Sequence, residues 1–193
     1  MAEAERLILE QGFAGATLDD ILSATQLTRG AFFHHFASKA ELAQAVVERY
    51  AENDAKLFES WAREADAASD DPRTRLMLFL QSFEKFLDGL GAPFPGCVFA
   101  AYTYQRGQFG PEMQAYIRAR LEAWLALYQA KLEAVIAAGG AVAPVSARGL
   151  AELIVTIVEG GFVMGAAMRD AGWLQRQSAH YREYLALLFP ERL

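Results

Sequence analysis

The 193-residue chain has one cysteine, Cys97, and only three histidines, His34, His35 and His180. A single cysteine excludes an internal disulfide and fits a reducing cytoplasm. The histidines offer no metal-ligand cluster, because neighbours on a helix cannot face one ion together. There is no Ser-His-Asp order and no phosphate loop, and Cys97 has neither histidine nor acid beside it in sequence. No catalytic residue, metal site or cofactor is therefore expected, and an enzyme is disfavoured. Proline is scarce, with six residues, and 53% of the chain is hydrophobic, which argues for a sizeable core rather than disorder. The opening Met1-Ala-Glu-Ala-Glu-Arg is acidic and lacks an apolar run, so no signal peptide is expected. Positive charge is in deficit, the formal net charge being −6. That sum is adverse for nucleic-acid binding, unless the distribution is favourable.

One stretch has that distribution: Thr17–Lys39, TLDDILSATQLTRGAFFHHFASK. Leu18, Ile21 and Leu22 recur at helical spacing, with Thr17 before them as N-cap and Asp20 three residues on. Thr25-Gln26-Leu27 forms a turn, with Leu27 directed back into a small core. Thr28 caps a second helix whose inner face is Ala31, Phe32 and Phe36. Ser38 and Glu41 make the capping box of the next helix. Two short helices over a tight turn form a helix-turn-helix, a shape suited to the DNA major groove. Between Gln26 and Lys39 there is no carboxylate, while Arg29, His34, His35 and Lys39 are present; Asp19, Asp20, Glu41 and Glu48 flank the window. The basic footprint is small, which predicts modest non-specific affinity.

The string LTRGAFFHHFASKAEL resembles the recognition-helix signature of the TetR family of one-component transcriptional regulators. The resemblance implies that Thr28, Arg29, Gly30 and Ala31 form the first turn of the reading helix. Arg29 alone among them is able to bond guanine through two donors; contact with phosphate only is the alternative. Gly30 suits close backbone approach. Phe33 stands where the family usually has a phosphate-binding tyrosine, and Gln26 where glycine is common. Thr17, His34, His35 and Lys39 complete the expected DNA contacts, Lys39 beside a helix N-terminus. The family's first helix usually begins about two turns earlier with basic residues. Either the start lies upstream of residue 1 or these contacts are missing here.

The remaining pattern predicts helices over 3–12 (ending at Gly12), 39–67, 73–90, 97–104, 112–138, 146–169 (stopped by Gly172) and 173–189. Gly89, Gly91, Pro93, Pro95 and Gly96 interrupt the chain before Cys97, and Gly139-Gly140 does so after the 112–138 helix. The 146–169 run is apolar enough to raise a membrane span, but Glu152 and Glu159 would be costly in lipid. The expectation is an all-α protein. Residues 1–45 form the helix-turn-helix domain, and residues 46–193 form an effector-binding and dimerisation body. Phe86, Cys97, Tyr102, Trp124, Tyr128 and Phe162 are the expected ligand contacts, with Phe94 and other aromatics nearby. Ile154, Ile157, Gly161, Gly165, Trp173, Tyr181 and Tyr184 are the expected homodimer contacts. The resemblance implies a cytoplasmic regulator, most simply a repressor. A small, largely apolar effector would release it from a palindromic double-stranded operator by population shift. Two alternatives stand beside it: a thiol sensor through Cys97, otherwise a small buried hydrophobe, and a helical dimer that binds ligand but no longer DNA.

Overall fold

A computed structural model describes residues 1–89, 96–105, 107, 109–139 and 141–191. The break expected at Gly91, Pro93 and Pro95, the aromatic Phe94 and the second glycine of Gly139-Gly140 lie outside the described residues. Helices in chain order are α1 (Ala2–Gly15), α2 (Leu18–Thr25), α3 (Arg29–His35), α4 (Lys39–Ala68), α5 (Pro72–Gly89), α6 (Val98–Tyr104), α7 (Pro111–Ala137), α8 (Ala147–Met168) and α9 (Trp173–Leu188). No strand occurs among the described residues, and the protein is all-α. Apart from the end of α1, the helix bounds fall within two residues of those expected from periodicity and caps.

The chain divides into two compact units, Met1–Ala55 with Pro95–Arg120, and Lys56–Phe94 with Leu121–Leu193. The first therefore takes in α6 and the start of α7 besides the N-terminal helices. Its core is formed by Leu7, Ile8 and Phe13 of α1, Ile21 and Leu22 of α2, Phe32 of α3, Val46 and Val47 of α4, and Val98, Phe99 and Tyr102 of α6. Ring edges lock it: Phe13 meets Tyr102 at 6.2 Å and Phe109 at 4.8 Å, and Tyr50 meets Phe99 at 5.3 Å. Gly12 does not end α1. It leaves the helix at φ 75° and ψ 165°, and one more turn follows to Gly15. The turn survives because the Ala14 amide donates to Gln105 Oε1 at 2.8 Å, replacing the bond the break removes.

The second unit is built round Phe58, whose ring lies 5.2 Å from Trp61, 5.6 Å from Trp124 and 6.0 Å from Tyr128. Leu76, Phe79, Leu132, Ile154, Leu185 and Phe189 fill the rest of this core. Helix α8 is long and apolar enough, by length and composition, to cross a membrane. Its Leu150, Ala151 and Ile154 are nonetheless buried in this unit, and the Tyr181 hydroxyl of α9 donates to the Leu150 carbonyl at 2.8 Å. Arg169, in the left-handed region at φ 53°, ends α8, while Gly172 serves as N-cap of α9 rather than the stop expected of it. The Asp170 amide reaching back to the Gly165 carbonyl at 2.9 Å completes that stop, so no glycine is needed there.

Candidate nucleic-acid interface

The site is assembled from local caps. The Thr17 hydroxyl oxygen accepts from the Asp20 amide at 3.2 Å, and the Asp20 carboxylate accepts from the Thr17 amide at 3.0 Å, closing a reciprocal capping box on α2. Hydrogen bonds from the Thr17 hydroxyl and amide, with a smaller contribution from the charge of Lys39, hold the Asp20 carboxyl below the usual carboxylate range. At the other end of α2, Gln26 takes the left-handed conformation, φ 55°, that glycine would favour. The Leu27 amide returns to the Leu22 carbonyl at 3.1 Å and the Gln26 amide to the Ser23 carbonyl at 3.3 Å, a Schellman end. This reversal turns Leu27 outward, 48% exposed, instead of into the core as expected.

Helix α3 starts two residues later, with Thr28 as its N-cap. The Thr28 oxygen accepts from the Ala31 amide at 3.1 Å, and the buried Phe32 pins the helix to the core. Its other face is open: Arg29, Gly30, Phe33, His34 and His35 are exposed, Phe33 at 52%. Thr17 and Thr28 are also exposed, while Ala31 and Lys39 are half-buried. A Cβ on Gly30 would meet nothing closer than the Thr28 hydroxyl at 3.9 Å, so internal packing does not require glycine there. Ser38 caps α4 through the Glu41 amide at 3.1 Å, but the Glu41 carboxylate takes the Ala37 amide, at 2.6 Å, rather than that of the cap itself. Lys39 donates to the Ala14 carbonyl at 3.4 Å, tying the start of α4 to the end of α1.

One partner escaped the sequence reading. Arg29 Nη2 lies 2.6 Å from Asp19 Oδ1, an exposed ion pair between the first turn of α3 and the first turn of α2. Ten residues separate them, beyond the reach of any helical-spacing rule, and Asp19 counted only as flanking negative charge.

The expected ligand residues do not gather in one unit. Phe86, Trp124, Tyr128 and Phe162 belong to the second; Cys97 and Tyr102 belong to the first, both buried, Tyr102 against the Phe13 and Phe109 rings. Tyr128 is a core residue, held between the Phe58 and Phe79 rings. Clefts of the second unit, about 350 Å³ beside Arg73 and Glu191 and about 290 Å³ beside Asp66 and Lys131, are lined by none of the four. The expected dimer residues also need correction. Ile154 and Tyr181 are buried inside one chain. Gly161 makes room for α9, since a Cβ there would stand 2.6 Å from the Leu174 side chain, and Gly165 for the turn before it, since a Cβ there would be 3.2 Å from the Asp170 carbonyl. Ile157 and Trp173 are half-buried, while Tyr184 remains 45% exposed.

Comparison with known proteins agrees with this architecture. The family model "Bacterial regulatory proteins, tetR family" matches residues 1–46. The model "Transcriptional regulator LmrA/YxaF-like, C-terminal domain" matches residues 72–180, more than half of the chain. Transcriptional regulator AcuR of Cereibacter sphaeroides is 27% identical over 117 residues, 61% of this chain and 52% of its own. HTH-type transcriptional repressor DhaR of Mycobacterium sp. is 23% identical over 124 residues, 64% of this chain and 59% of its own. The chain thus spans little more than half the length of these curated relatives. A TetR transcriptional regulator from Chloroflexus aurantiacus superposes with a TM-score of 0.78 at 25% identity, covering 97% of this chain and 92% of that one. The capped α2–α3 pair and a C-terminal match over most of the helical body lead to one conclusion: the chain belongs to the TetR family of bacterial regulatory proteins.

Proposed function

We propose that the protein is a ligand-responsive, DNA-binding transcriptional repressor that acts as a homodimer on a palindromic operator. The observation that carries this is the open face of α3, where Arg29, Gly30, Phe33, His34 and His35 stand exposed while Phe32 anchors the helix behind them. Arg29 reads a base edge, and the histidines and Lys39 meet phosphates.

Dimerisation is supported by apolar residues left uncovered on α8 and α9: Leu153, Val163, Met164 and Met168, with Tyr184 and Leu187. They replace the buried Ile154 and Tyr181 as the contacts of a two-fold interface. The half-buried rings Phe86, Trp124 and Phe162 are the ligand contacts that fit a small apolar effector. Effector binding favours a conformation whose two heads no longer match successive major grooves, so operator affinity falls. Cys97, 3% exposed, acts as a buried hydrophobe rather than a sensing thiol. No catalysis is assigned.

The test is a mobility shift on DNA flanking the gene, across a salt series, with sedimentation to measure oligomeric state. Wild-type protein binds an inverted repeat as a dimer, more weakly as salt rises, and Arg29→Ala and Lys39→Ala both weaken binding. Absence of binding to any duplex at low salt would sink the regulator reading.

A further inference from the structure

Arg29 does not point freely into solvent. Its Nη2 is held by Asp19 Oδ1 at 2.6 Å, with the two side chains 63% and 74% exposed. The neighbouring acid does not compete for it, because the Asp20 carboxylate is occupied by the Thr17 amide and hydroxyl. The tether is also independent of the fold's caps: Thr17 and Thr28 close α2 and α3 without Asp19. An exposed pair of this kind adds little to folding stability. It has another consequence, since it places a carboxylate on a face proposed to approach the phosphate backbone.

Resting on the DNA-reading function proposed above, we infer that Asp19 is a specificity-determining positioning residue for Arg29. One amino group of the guanidinium is tied to Asp19, which restricts the rotamers of a long side chain and leaves other donors of the planar fork free for guanine O6 and N7. In non-specific complexes, contacts are to phosphates, and the Asp19 charge repels them. At the correct site the preplaced fork offsets that repulsion. Asp19 therefore raises the ratio of specific to non-specific affinity through Arg29 alone, its repulsion of phosphates costing absolute affinity for every duplex alike.

The experiment is selection from a random duplex library by the full chain, followed by affinity measurement on the selected and on random duplexes. It is done with wild type, Asp19→Asn, Arg29→Ala and the double variant. Asp19→Asn is expected to bind random duplex several-fold more tightly, with its specific-to-random ratio lowered about tenfold. Its preference is lost at the same base pair that becomes degenerate in Arg29→Ala. In the Arg29→Ala background, Asp19→Asn leaves the ratio unchanged. An unchanged or higher ratio in Asp19→Asn, or an equal fall when Arg29 is absent, overturns the inference while leaving DNA reading intact. A wild-type protein that enriches no sequence at low salt overturns DNA reading itself, and this inference with it.

Discussion

Gln105, just past the end of α6, completes α1: its Oε1 accepts the Ala14 amide at 2.8 Å, and its side-chain nitrogen occupies the space where a Cβ on Gly12 would stand. Two consequences can be measured. Gln105→Ala leaves that amide without its acceptor and should destabilise the protein by about 1 kcal/mol in denaturant unfolding. Gly12→Ala should cost more, because an alanine at φ 75° is strained by roughly 1–3 kcal/mol before any clash with Gln105 is counted. A Gly12→Ala protein as stable as wild type would show that the break in α1 is not required.

Gly30 separates stability from binding. It lies in the first turn of α3, and a Cβ there would touch only the Thr28 hydroxyl, at an ordinary 3.9 Å. Gly30→Ala should raise thermal stability, by up to about 1 kcal/mol from helix propensity alone. The same methyl group stands on the proposed DNA face and should weaken operator binding. Stabilisation together with undiminished binding would remove Gly30 from the interface.

Phe33 is half exposed and meets the edge of Phe32 at 5.2 Å. Phe33→Tyr adds a hydroxyl on the solvent side of that ring. We expect tighter operator binding, by about 0.5–1.5 kcal/mol per head for one added hydrogen bond. The salt slope should stay the same, since no charge is introduced. A mobility-shift series at several salt concentrations measures both quantities.

Gly161 admits Leu174 into α8 within one chain. Gly161→Val should overpack this contact and destabilise by about 1–3 kcal/mol. Combining it with Leu174→Ala should recover part of the loss, giving a non-additive cycle in thermal melts. Additive losses would mean that Gly161 owes its identity to another neighbour.

Burial pushes the Tyr181 hydroxyl well above the usual phenol range, with a smaller push from Tyr184. A phenol raised in the folded state contributes stability that is complete below its unfolded pKa. That stability is lost as pH climbs through the alkaline range, where the unfolded chain ionises first. Alkaline unfolding of wild type should therefore be steeper than that of Tyr181→Phe. At neutral pH the variant should lose about 1 kcal/mol with the bond to the Leu150 carbonyl. Parallel pH–stability curves would assign the alkaline loss to other groups.

Much of the α2–α3 pair and the start of α4 was legible in sequence. Thr17, Thr28 and Ser38 each accept the amide three residues on, and such caps depend on neighbours within one turn. Glu41 shows the limit even there: it passes over the Ser38 amide for that of Ala37. Leu27 shows it again, since apolar character predicts burial, but the left-handed backbone at Gln26 directs the side chain to solvent. Among the ligand candidates, chemistry grouped six residues that the fold divides between two units.

By itself, the sequence determined the all-α class, the helix boundaries apart from the end of α1, and the capped α2–α3 pair, because periodicity, caps and backbone preferences act over four residues or fewer. Tertiary structure alone decided the partners: Asp19 for Arg29, Gln105 for the gap at Gly12, Leu174 for Gly161 and the Leu150 carbonyl for Tyr181. These pairs lie from ten to ninety-three residues apart, Gly12 and Gln105 being the widest. Which of many chemically suitable partners each residue meets is set by how the helices pack, and packing is a property of the whole chain. Within the window Thr17–Lys39 the caps follow from neighbouring residues, while the meeting of Asp19 with Arg29 follows from how α2 and α3 pack.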